Sequence, residues 1–262
     1  SLKANLKIFI QLTLFLDLIF SILEIIFRYF LLCDTWIIYT INMKIQILIS
    51  KSSWANKFEI FIKRKLKRFS KNIKIFDHHK KLKNNYDVNI IFSYFKKVPK
   101  KNLKKSKLNL VPHESDLPSG KGMSPLTWQI IKNKKEIVFS LIEASSVIDG
   151  GKIYYKKKVK IPKHFLFEDI KKIQLKQNLL LIEKVLNFVK KKGKSPPKKN
   201  SAGKSSFFIR RRAEDSKLNI NRSIKDQFNL LRICDNDNYP PFFEIYGKKY
   251  ILKINKSWNI SL

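Results

Sequence analysis

The stretch Asn109-Leu-Val-Pro-His113-Glu-Ser115-Asp-Leu117-Pro118-Ser-Gly120-Lys-Gly122-Met-Ser-Pro125-Leu-Thr-Trp128 is the least generic part of the sequence. It sets a histidine just after a predicted strand, then a Pro- and Gly-containing loop, then a helix start. In open α/β sheets ligands bind beyond the carboxyl ends of the strands, so His113 stands where chemistry usually happens. Asp149 lies 36 positions further on, in an Asp-Gly-Gly turn that follows the next strand. A His and an Asp on loops at one sheet edge can form a carboxylate-oriented base, the carboxylate fixing the imidazole tautomer and raising its basicity. Read from residue types alone, a loop histidine is also an ordinary solvated side chain and Asp-Gly an ordinary turn.

The elements that must position this pair alternate in type. Lys44–Ser50, Ile73–Asp77, Val88–Phe92 and Leu108–Val111 read as short strands, and Pro112 pushes Val111 towards an extended conformation. Asn56–Ser70 reads as a helix with Phe58, Phe61, Ile62, Leu66 and Phe69 on one face. Ser124-Pro125 reads as a helix start, Ser as N-cap and Pro in the first turn, for a helix carrying Trp128, Ile130 and Ile131. Ile137–Ala144 and Lys152–Ile161 are predicted strands on either side of Asp149-Gly-Gly151. A long helix follows over about Leu166–Lys190 with Ile182, Val185, Leu186 and Val189 facing inwards. Residues 191–206, rich in Lys, Gly, Ser and Pro, read as a basic linker. Residues 207–262 read as a small extension: a helix near Ser223–Cys234 with Ile224, Phe228 and Leu231 spaced i, i+4, i+7, then a hairpin over Phe242–Ile254. The alternation predicts an α/β fold with a mostly parallel Rossmann-like sheet and a small C-terminal α+β annex. Neither a dinucleotide fingerprint nor a P-loop is present.

Composition bounds the rest. Lys and Arg number 55 against 20 Asp and Glu, a net charge of +35 on 262 residues. Such a balance points to nucleic acid or an anionic membrane. The excess is nearly all lysine and comes with an excess of Asn, Ile and Phe, residues of A/T-rich codons, so part of it reflects composition rather than a polyanion partner. Hydrophobic residues make 44% of the chain, enough to bury a core. Two cysteines, Cys33 and Cys234, form no disulfide framework, and no Cys/His spacing resembles a zinc site, which predicts a reducing, cytoplasmic compartment and no metal. Residues 1–42 are apolar but interrupted by Asp17, Glu24, Arg28 and Asp34, so no uncharged span of membrane length exists there. They are read as an upstream or leader segment preceding a start at Met43; a membrane anchor is the alternative. Residues 43–190 are then the catalytic domain.

His113-x-Ser115-x-Leu117-Pro118 followed by Gly122, with Asp149-x-Gly151 at that interval, resembles the signature of 10-formyltetrahydrofolate-dependent formyltransferases. That family includes methionyl-tRNA formyltransferase, glycinamide ribonucleotide formyltransferase and the amino-sugar N-formyltransferases. Arg211-Arg-Ala-Glu-Asp-Ser216, Tyr239-Pro-Pro-Phe-Phe243 and Gly247-Lys-Lys249 resemble the segment after that domain in the sugar and tRNA enzymes. The resemblance implies that a substrate amine attacks the formyl carbon of 10-formyltetrahydrofolate. His113 would move the amine proton and help to stabilise the oxyanion, and Asp149 would orient His113. Ser115, Leu117, Pro118, Gly120 and Gly122 would shape the donor site, with backbone N–H groups as oxyanion donors. The family's Asn two residues before the His is Val111 here, and Asn109, on the same strand face, is the substitute candidate. Arg211 and Arg212 suit bidentate contacts to a phosphate of the acceptor.

The resemblance leaves three readings: an enzyme formylating a nucleotide-linked amino sugar, a methionyl-tRNA formyltransferase, or a member weakened or silenced by Val111. The 56 residues after the linker are too few for the barrel that holds the tRNA acceptor stem, which favours the small amine. The expected partner is therefore that amine, with tRNA as the alternative, no membrane unless residues 1–42 anchor the chain, and a homodimer through the edge of the C-terminal hairpin.

Overall fold

The computed structural model describes residues 19, 21–26 and 42–257. The chain divides into two units, Ser1–Asn42 and Met43–Leu262. In the first, residues 21–26 are helical and exposed; most of the segment read as a leader or anchor, Cys33 included, lies outside the described residues. Among the described residues no helix is long and apolar enough to cross a membrane.

The second unit is built on strands β1 (Lys44–Leu48), β2 (Asn72–Phe76), β3 (Tyr86–Ile91), β4 (Ser106–His113), β6 (Ile137–Glu143) and β7 (Ile153–Val159), arranged β2-β1-β3-β4-β6-β7. The first four pair in parallel; β6 and β7 add antiparallel to β4 and to each other. The fold is thus the expected mainly parallel α/β type. β1 is buried on both faces, as a central strand covered by helices must be. Its one polar interior residue, Gln46, is fully buried and spends its amide on Lys83 O, Ser106 Oγ and the Lys83 N–H, so the sheet centre carries no unpaired group there. Pairing of β3 with β4 ends at Leu110, two residues before Pro112, which has no N–H to continue a ladder. Beyond that point β4 keeps only β6 as a neighbour, and its end is open on the other side.

The helices are α1 (Glu59–Leu66), α2 (Lys100–Leu103), α3 (Pro125–Ile131), α4 (Phe167–Lys192) and α5 (Ile224–Leu231). The helix predicted over Asn56–Ser70 enters through a 3₁₀ turn, Trp54–Phe58, because the Ser53 hydroxyl accepts from Ala55 N and tightens that turn. α4 lies across β4, β6 and β7 with Ile170, Leu175, Leu179, Ile182, Val185 and Leu186 buried. Glu168 and Asp169 in its first turn and three lysines in its last complement the helix dipole, and Gly193 closes it in the left-handed region (φ 66°). Val189, expected inside, is half-buried in the final turn. Ser124 precedes α3 as expected, but it sits at φ 56° and its side chain makes no capping bond. Ile224, expected to face inwards, is 73% exposed in the first turn of α5. The terminal hairpin pairs β9 (Phe242–Ile245) with β10 (Lys248–Ile251) through Tyr246-Gly247, both at positive φ, as a two-residue turn of right-handed strands needs.

Phe139 on β6 is fully buried between sheet and helix. Phe139→Ala is expected to lower stability by about 3–5 kcal/mol, read from urea denaturation.

Candidate active site

β4 delivers His113 to its carboxyl end, where the residue pairs with Ser140 of β6. The chain then turns back on itself. Ser140 Oγ donates to Ser115 O at 2.7 Å, and Lys156 Nζ reaches both Asp116 and Leu117 O. Leu117 packs into a small apolar cluster with Ile142, Ile153 and Val111. This folded loop returns Gly120 O to 2.8 Å from His113 Nε2. A carbonyl only accepts, so Nε2 carries a proton and Nδ1 is the nitrogen that gains or loses one. Nδ1 lies 3.6 Å from Asp149 Oδ1, and Asp149 Oδ2 accepts from Gly122 N at 2.8 Å. Both side chains are largely buried, 7% and 12% exposed. One loop therefore ties the histidine and the carboxylate together through the backbone of Gly120 and Gly122.

Two glycines make this closure sterically feasible. A Cβ on Gly151 would stand 1.6 Å from Glu143 O, so the Asp149–Gly151 turn can fold onto the end of β6 only without one. Gly122, at φ +93°, would place a Cβ 2.3 Å from Phe208 O. That contact shows what backs the loop: the stretch read as a linker runs along it. Lys199 and Ile153 exchange backbone bonds, Ser206 accepts from Gly120 N through Oγ and from Lys121 N through its carbonyl, and β8 (Phe207–Phe208) pairs in parallel with β5 (Lys121–Gly122). Trp128 Nε1 donates to Ile209 O at the far end of this strap.

A cavity of about 770 Å³ opens in front of the pair. Of the ten residues singled out from the sequence, His113, Asp149, Gly122, Arg211 and Arg212 line it. Ser115, Leu117, Pro118 and Gly120 are buried behind His113 and build the loop rather than its surface. Asn109 is also away from the cavity. Its amide donates to Leu103 O and Ser106 O and accepts from Asn89, which ties β4 to β3 and α2, while Val111 takes the lining position nearer the histidine. Arg211 gives Nη2 to Asp215 O and Ser216 Oγ, and its Nε is buried without a partner. Arg212 is exposed at the start of a 3₁₀ turn.

A polar cluster that sequence reading passed over lines the same cavity. Lys171, Gln174 and Asn178 lie on the buried face of α4, among Ile170, Leu175 and Leu179. Their i, i+3, i+7 spacing inside an apolar stripe was the available signal. Asn178 Nδ2 donates to the buried carboxylate of Glu114 at 2.7 Å, and Lys171 Nζ donates to Gln174 Oε1 at 2.9 Å. The Lys171 ammonium stands over the rings of Trp54 and Phe167, 5.0 and 5.3 Å from their centroids. Burial pushes its pKa down to about 8 against the pull of Glu114, and the Arg211 charge adds to the fall.

No family model matches the chain. In sequence it is 30% identical over 122 residues to the methionyl-tRNA formyltransferase of Malacoplasma penetrans, covering 46% of this chain and 37% of that protein. The chain spans about a third of the length of its foremost sequence relatives. In fold it is similar to methionyl-tRNA formyltransferase from Clostridium thermocellum, with TM-score 0.65, 21% identity and coverage of 84% of this chain and 96% of that one. It is also similar to HypX from Aquifex aeolicus in complex with tetrahydrofolic acid, with TM-score 0.62, 18% identity and coverage of 80% and 37%. In sequence over part of its length, and in fold over most of it, the chain is similar to formyltransferases.

Two outcomes follow from the geometry. Gly122→Ala is expected to cost about 1–3 kcal/mol or more, because the strap carbonyl must retreat from the new Cβ; chemical denaturation reads it. An ammonium titrating near 8 when folded and near 10.5 when unfolded makes the unfolded chain bind more protons between those values. Stability of the wild type relative to Lys171→Met should therefore rise from pH 8 to about pH 10.5, as read by paired denaturation curves.

Proposed function

We propose that this chain transfers a formyl group from 10-formyltetrahydrofolate to a primary amine, that of a nucleotide-linked amino sugar. The observation that carries the reading is the His113–Asp149 pair, closed by Gly120 and Gly122, in the wall of a cavity on a formyltransferase fold. The cavity is large enough for a drug-sized donor. The segments Ile91–Phe95 and Ala144–Ile148 supply apolar surface and backbone polar groups on its walls, a combination that suits a flat heteroaromatic donor. Eight Lys and Arg against three carboxylates in the lining suit an acceptor that carries phosphates.

The donor supplies the formyl carbon. Transfer forms a new amide N–C bond, breaks the old one and releases one proton from the amine, while the departing nitrogen takes one up. His113 is placed for that proton traffic through Nδ1, since Nε2 is held by Gly120 O. Asp149 stands behind Nδ1 to orient the ring and balance the charge of the protonated form. Position 111 carries no amide, and Asn109 is engaged between strands, so neither of these side chains is the donor to the developing oxyanion. Asp149 is fixed by the Gly122 N–H and needs no reorganisation during the step.

The test is turnover of 10-formyltetrahydrofolate with a panel of nucleotide-linked 4-amino sugars. Formylated sugar is expected with the wild type. His113→Ala and Asp149→Asn should each lower kcat by about 10²–10⁴ without loss of donor binding. Donor binding without turnover of any sugar would move the acceptor to aminoacylated tRNA; no donor binding would sink the reading.

A further inference from the structure

Lys171 lines the cavity and takes no part in the formyl-transfer scheme. It is nine-tenths buried, and its only hydrogen bond among the described residues goes to Gln174 Oε1. An ammonium has three donors, so two are unspent. Among the described residues no carboxylate comes within ion-pair distance of its nitrogen. Glu114 is near enough to act on it through space, but its carboxylate is bonded to Asn178. Asp235, the next carboxylate, is bonded to the N–H groups of Asp237 and Asn238 and to the Asn238 amide. A buried charge left without a partner is costly, and a fold that keeps one in a cavity wall holds it for something that enters the cavity.

A second unspent donor stands beside it. Arg211 lines the same cavity, its Nε is buried and unpartnered, and its charge acts on Lys171. Nη2 of that guanidinium is held by Asp215 O and Ser216 Oγ, which fixes the plane of the group. The rings of Trp54 and Phe167 wall the ammonium, 5.0 and 5.3 Å from their centroids, and hold it in place by cation–π attraction. From this geometry we infer that Lys171 and Arg211 form an anion subsite that takes a phosphoryl or carboxylate group of the acceptor and so sets which amines are accepted. The inference deepens the formyl-transfer reading and rests on it only for calling the anion part of the acceptor.

The experiment needs neither folate nor amine. The full chain is titrated calorimetrically with inorganic pyrophosphate and, separately, with malonate. Lys158→Gln, an exposed lysine on β7, serves as control for general attraction to a cationic surface. The wild type and the control should bind one of the two anions equally. Lys171→Gln and Arg211→Gln should each weaken it at least tenfold, and Lys171→Arg should restore most of the loss. Preference for pyrophosphate assigns the group as phosphoryl, preference for malonate as carboxylate. Should Lys171→Gln fail to fold, Arg211→Gln carries the same test from a half-exposed position. Absence of saturable binding to the wild type, or equal affinity in the control and both folded variants, overturns the subsite. Failure of formyl turnover alone leaves this result readable, because anion binding is measured without it.

Discussion

Two backbone contacts govern the site: Gly120 O on His113 Nε2 and Gly122 N on Asp149 Oδ2. Neither depends on a side chain of the loop, so both depend on the loop's path. That path is fixed from below by Leu117 in its apolar cluster and by Ser140 on Ser115 O. It is fixed from outside by the strap of residues 199–209, whose Ser206 and Phe208 carbonyls take up the loop's own N–H groups. Without the strap, the N–H groups of Gly120, Lys121 and Met123 would be left to water or unpaired, and the loop would lose the register that brings Gly122 to Asp149.

This arrangement divides the family signature into two kinds of residue. His113, Asp149 and Gly122 face the cavity; Ser115, Leu117, Pro118 and Gly120 hold the first group in place from behind. A motif written along the chain mixes both kinds, because a tight loop needs buried apolar and small residues as much as it needs the groups that react. Asn109 illustrates the limit of face arguments. It shares the face of Val111 and His113, yet that stretch of strand is covered by α2, and its amide is spent on Asn89, Leu103 and Ser106.

The cavity has a second polar wall of a different character. At His113 the ring Nε2 and the Asp149 carboxylate are engaged by backbone groups of the fold, whereas Lys171 and Arg211 keep donors in reserve. Matched groups make a rigid reaction centre; unmatched buried donors make a place for a ligand that supplies the acceptors. The lining carries more cations than carboxylates, which gives the whole-chain charge of +35 a local meaning that composition alone could not.

The order of strands and helices, the placing of His113 at a strand end and the turn at Asp149 were legible in the sequence, because strand and helix periodicities and Asp-Gly turns are local. The resemblance of His113-x-Ser-x-Leu-Pro and Asp149-x-Gly was legible for the same reason, its spacing being a property of one chain segment. Ile224 and Ser124 departed from local expectation where a neighbouring element was absent or the backbone took a left-handed turn. The strap was not legible: residues 191–206 have linker composition, and only their pairing with β5 and Ile153 gives them a position. Lys171 was not legible as a cavity residue either: its place in an apolar helical stripe marked it as facing inwards, but only the elements that pack around it remove its water. Sequence by itself determined the elements and singled out His113 and Asp149; tertiary structure decided which polar groups are buried, which are matched and which keep free donors, because burial and pairing arise between segments distant along the chain.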